Sequence, residues 1–89
     1  MPIDRISDTL VTSIRSYQEH ARAFDRGPKD CTQLGRGLVQ VENQWSAYNA
    51  EKGKLTRQLD DARARRDLML FSGVDSVEAH YDRSSCRRP

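Results

Sequence analysis

The chain has 89 residues, with 15 Lys plus Arg against 13 Asp plus Glu, a formal net charge of +2 and 36% hydrophobic residues. That length holds one small domain, and the near balance of charge excludes a supercharged tail. So few apolar residues cannot wall the deep pocket of an elaborate enzyme, and no apolar run approaches the ~20 residues that span a bilayer.

The first helical run begins near Pro2, a residue suited to the first helical position. Ile3, Leu10, Tyr17 and Phe24 recur every seven residues, and Ser7, Ile14 and Ala21 fall four after the first three. This seam has the 3.5-residue average period of a helix that packs along one stripe. Ile6 and Val11 widen it. The run stops at Asp25-Arg26-Gly27-Pro28-Lys29-Asp30, where glycine can take a left-handed turn and proline cannot continue a helix.

Asp30 is a good N-cap for the next helix, with Gln33 three residues on in a loose capping box. Leu34, Val41, Tyr48, Leu55, Ala62 and Met69 form one heptad column, and Leu38, Trp45, Lys52, Leu59 and Arg66 the other. The phase does not slip across Gly53, so the pattern predicts one helix over 31–71, about 60 Å long. The competing reading breaks it near Gly53 and yields three helices. Gly35 and Gly37 either fray the first turns or make room for Phe24 and Tyr17 opposite. Ser72-Gly73 reads as a stop, and Val74, Val77 and Tyr81 predict a short third helix over 76–82. One domain over 1–82 and a mobile tail over 83–89 complete the expected organisation.

Folding the first two runs back at Gly27-Pro28 sets Phe24 against Leu34, Ala21 against Leu38, Tyr17 against Val41, Ile14 against Trp45 and Leu10 against Tyr48. The expected fold is therefore all-α: an antiparallel helical hairpin with a long second helix, a short C-terminal helix and coiled-coil-like packing. Its long arm overhangs by roughly 22 Å. A core only two helices thin predicts that self-association, most simply a two-fold dimer, completes a bundle.

The candidate partner or self-association residues are those of the overhang: Leu55, Leu59, Ala62, Arg66, Met69 and Phe71. Trp45, Tyr17, Tyr48 and Phe24 lie on the seam and read as core rather than as a recognition surface. Lys52 and Arg66 interrupt the seam, either to set register or with their charges held in water. Arg57, Arg63, Arg65 and Arg66 are the one basic concentration, and a nucleic-acid contact through them and the tail is the alternative function. Asp60, Asp61 and Asp67 among them favour a solvated, salt-bridged face instead.

His20 and His80 have no nucleophile or carboxylate at a fixed local spacing, so no catalytic residue is expected. No Cys/His cluster has metal-ligand spacing, so neither metal nor cofactor is expected. Cys31 at the bend and Cys86 in the tail come out tens of Å apart on the hairpin, far beyond the ~7 Å that a bridge tolerates. Two separate thiols and no export signal point to the reduced cytoplasm. The expected function is a non-enzymatic protein–protein interaction module, a small adaptor, chaperone or regulatory subunit, with a homo-oligomeric or helical partner and no membrane.

Overall fold

In a computed structural model that describes residues 1–89, the chain forms three helices: α1 (Pro2–Arg26), α2 (Cys31–Gly53) and α3 (Asp61–Arg83). The fold is all-α, with principal extents of 46 × 21 × 18 Å. The long second helix and the short third one expected from the heptads are replaced by two helices of equal length.

α1 opens with Pro2 in its first turn and buries Ile3, Ser7, Leu10, Ile14, Tyr17, Ala21 and Phe24, the whole of its predicted seam. It ends at Gly27 in an extended rather than left-handed conformation, φ −135°. Its last carbonyls are satisfied locally. The Gly27 amide donates to the Ala23 carbonyl (3.0 Å), and Lys29 Nζ donates to those of Phe24 (2.7 Å) and Asp25 (3.2 Å).

α2 starts where the Asp30 carboxylate accepts from the Gln33 amide (3.1 Å), as its spacing predicts. Leu34, Leu38, Val41 and Tyr48 are its buried side chains, and Trp45 packs partly buried beside them. Gly37 lies against the Tyr17 ring, where an added Cβ would sit 3.2 Å from Cδ2, so this glycine makes room for a close helix approach. Gly35 does so for a different neighbour: Tyr81 Oη and Pro89 lie over it, not Phe24.

The chain breaks at Gly53. The Lys54 and Leu55 amides turn back onto the Glu51 and Lys52 carbonyls (both 3.1 Å). Asp60 then caps α3 by accepting from the Arg63 amide (2.8 Å). Leu55 and Leu59, in the connecting segment, both pack on the core. Apolar residues thus continue the heptad count across a stretch that is not helical.

α3 buries Leu70, Val74, Val77 and Tyr81, a 4-3-4 spacing one residue later in phase than the Ala62–Met69 column. Gly73, read as a stop, lies inside the helix, where an added Cβ would come 3.0 Å from Ile14 Cδ1. Contacts along α3 rise in step with α1: Asp4 with Arg63, Asp8 with Arg66, Ile14 with Gly73, and Tyr17 with His80. They fall along α2: Tyr48 with Asp67, Trp45 with Phe71, and Cys31 with Cys86. α3 therefore runs parallel to α1 and antiparallel to α2, and the three enclose one core.

Cys31 and Cys86 form a disulfide, with Cα atoms 5.5 Å apart. The expectation of two distant thiols fails because the break at Gly53 sends α3 back toward the start of α2. Residues 84–89 lie along that start. The Tyr81 hydroxyl donates to the Arg87 carbonyl, Ser85 takes a left-handed φ of 64°, and Arg88 pairs with Glu42 at 3.0 Å. No helix is long and apolar enough to cross a membrane.

Candidate interaction surface on the third helix

Three sides of α3 differ in chemistry. The side toward α1 is ionic. Arg63 grips Asp4 through Nε (2.8 Å) and Nη2 (2.7 Å), while Nη1 reaches Asp60 at 2.7 Å. This fork holds the Asp4 carboxyl below the usual carboxylate range, chiefly by its hydrogen bonds. The Arg63 backbone amide does the same for Asp60. Arg63 itself is pushed above its ordinary value by the Asp4 bond. One turn on, Arg66 Nη2 donates to Asp8 Oδ1 (2.7 Å), and its Nε is buried without a partner.

Farther along the same contact, His80 links two residues of α1. Its Nδ1 lies 2.7 Å from the Tyr17 hydroxyl, and its Nε2 lies 3.0 Å from the nearer Asp25 oxygen. With Nε2 carrying its hydrogen toward the carboxylate, Nδ1 accepts from the phenol. Burial pushes the Tyr17 phenol well above its ordinary value, so it remains the donor. His80 also meets the Tyr17 ring edge-on, with centroids 5.6 Å apart. The Asp–His–Tyr chain has the order of a proton relay, but its hydroxyl end is sealed in the core. The chain joins α1 to α3. Spacing along the sequence had no way to reveal it, since its members are 55 and 63 residues apart.

The side toward α2 is mixed. The Tyr48 hydroxyl donates to Asp67 Oδ1 (2.9 Å), and Lys52 Nζ donates to the same oxygen (3.0 Å). Burial and then the Asp67 bond push the Tyr48 phenol up to about 12. Lys52, a polar interruption of the seam, thus keeps its charge at the edge of the core, paired with Asp67. Above this pair Trp45 stacks on Tyr48, with centroids 5.7 Å apart and planes 13° apart, and Phe71 tilts onto Trp45 at 6.3 Å.

The outward side is apolar where a solvated helix should be polar. Leu68, Met69 and Phe71 are 69%, 57% and 60% exposed, within one turn of one another. Trp45 extends the patch onto α2. The six residues expected to bind a partner therefore separate. Leu55 and Leu59 face the core, Arg66 faces Asp8, and Ala62 lies exposed in the first turn of α3, while Met69 and Phe71 lie on the open patch. Leu68, outside both heptad columns, is the most exposed of them.

The four arginines of the alternative reading separate as well. Arg63 and Arg66 are committed to Asp4 and Asp8, Arg57 lies in the loop after α2, and Arg65 is on the outward side of α3. They do not form one basic stripe. A shallow groove of about 550 Å³ lies where the tail crosses α2, bordered by Arg36, Val39, Arg87 and Pro89. Its lining carries no carboxylate or imidazole. No group of three His, Cys, Asp or Glu side chains is placed to hold a metal ion. Neither a protein-family model, nor a curated protein, nor a solved structure matches the chain.

Proposed function

We propose that the chain is a non-enzymatic protein–protein interaction module that receives a helical partner on the outward face of α3. One observation carries this reading: Leu68, Met69 and Phe71 stand open to water within a single turn, with Trp45 adjoining them. Scattered exposed apolar residues are ordinary, whereas three large ones gathered within one helical turn on the side away from the core are the kind of cluster that recognition surfaces use. Trp45 and Phe71 are aromatic anchors of the kind that dominate interface energies. The Cys31–Cys86 bond favours an oxidising compartment over the reduced cytoplasm that the cysteine count suggested. Pairing of Arg63 and Arg66 with carboxylates weakens the nucleic-acid alternative.

Photo-crosslinking in the native host tests the proposal. A crosslinking residue in place of Leu68 is expected to give an adduct of discrete mass, which Phe71→Glu abolishes. A crosslinker at the exposed α1 position Arg22 gives no such adduct. Absence of the position-68 adduct, or an identical one from position 22, overturns the reading.

A further inference from the structure

We infer that the occupant of this face is a second copy of the chain, with the two α3 helices packed antiparallel about a two-fold axis at the level of Leu70. The inference rests on the proposed interaction role of the face and commits it to one partner.

The charges on the face carry the argument. The core side of α3 is defined by Leu70, Val74, Val77 and Tyr81. At 100° per residue the opposite stripe is Asp61, Arg65, Leu68, Ser72 and Asp75, all exposed. Phe71 and Met69 flank this stripe on its two sides. Arg65 and Asp75 lie at the same distance from Leu70, one on either side in the sequence. Neither has an ionic partner within the chain, although Asp4, Asp8, Asp60, Asp67, Arg63 and Arg66 nearby are all paired. An antiparallel pair centred at Leu70 sets Arg65 of each copy opposite Asp75 of the other, making two equivalent ion pairs around the apolar centre. The same symmetry brings the two Phe71 rings together on one flank and the two Met69 side chains on the other.

Other registers lose this match. An axis at the level of Leu68 sets Asp61 opposite Asp75, and one at Ser72 pairs Asp61 with Arg83 but leaves Arg65 opposite Ala79 and Asp75 opposite Met69. A parallel pair sets Arg65 against Arg65 and Asp75 against Asp75. The axis at Leu70 is the register that pairs Arg65 with Asp75 while Met69 of each copy lies level with Phe71 of the other, so the face is self-complementary there, as an isologous interface requires. Its few large apolar side chains fall short of the ~800 Å² per partner of a standard interface, so the dimer belongs to the weak, concentration-dependent class.

Sedimentation of the oxidised 89-residue chain over a concentration series tests this. Arg65→Asp alone and Asp75→Arg alone each place like charges across both symmetric contacts, and each is expected to weaken dimerisation about tenfold. An equimolar mixture of the two variants is expected to recover wild-type affinity, because only the mixed dimer pairs opposite charges at both contacts. Unchanged helicity of each variant, followed by circular dichroism, accompanies the expected result. A wild-type chain that stays monomeric into the millimolar range overturns the inference, and so does a dimer that ignores both substitutions or a mixture that fails to recover. A position-68 crosslink to a chain of different mass also overturns it, while leaving the broader interaction role standing.

Discussion

Gly73 and Ile14 meet where α3 crosses α1, so closely that a Cβ on the glycine would lie 3.0 Å from Ile14 Cδ1. A glycine in a helix interior sacrifices roughly 1 kcal/mol relative to alanine, and here the sacrifice admits the neighbouring side chain. Gly73→Leu is expected to destabilise the fold by about 2 kcal/mol through overpacking. Gly53, with nothing within 4 Å of the same added atom, should accept alanine with a gain of a few tenths up to about 1 kcal/mol. Urea unfolding of the two variants separates the glycine that makes a contact from the glycine that only loosens a helix end.

The disulfide closes a loop with a sequence separation of 55. In the chain-entropy picture, a loop of that size contributes about 4 kcal/mol by restricting the unfolded chain. Cys31→Ser and Cys86→Ser should each lose about that much, and the double variant no more than either. Thermal melts with and without dithiothreitol check this, and reductant should leave the variants unaffected.

Acid should act through Arg63. The Asp4 and Asp60 carboxyls are held low in the folded chain, so the unfolded state binds more protons as pH falls. Their contribution is complete above the ordinary carboxylate value of about 4 and disappears as pH drops through the lower folded values. Arg63→Met removes the guanidinium that holds Asp4 low, while the residue-63 backbone amide that lowers Asp60 remains, so the Asp4 share of the effect is the one lost. Urea midpoints measured from pH 6 down to pH 2 should fall less steeply in that variant than in the wild type.

Tyr17→Phe removes the hydroxyl that His80 Nδ1 meets at 2.7 Å and is expected to cost about 1–2 kcal/mol. His80→Ala also breaks the Asp25 contact, and the two losses should not add, because the residues share one chain of bonds. A double-mutant cycle in urea measures the shortfall.

α1 was legible from residue spacing throughout, since one uninterrupted period decides which side chains face inward. The rest of the chain misled for a local reason. Leu55 and Leu59 occupy heptad positions and do reach the core, but from a connecting segment, so the pattern continued where the helix did not. The usable signals were Gly53 followed by Asp60 as a fresh N-cap, and the unbroken Leu70–Val74–Val77–Tyr81 spacing through Gly73. Of the binding face, Met69 and Phe71 were named from the sequence. Leu68 was seen only as a neighbour of the overhang and not placed among the binding residues, because its exposure depends on the one-residue change of phase in α3. The Asp25–His80–Tyr17 chain and the disulfide join residues far apart in sequence, and only the return of α3 brings them together.

The bond between Cys31 and Cys86 makes residues 31–86 a covalent ring that contains α2, the connecting loop and α3, and leaves α1 outside it. A protease that cuts once in the loop, at exposed Arg57 for example, opens the ring without separating its halves. The fragments travel together until a reductant parts them.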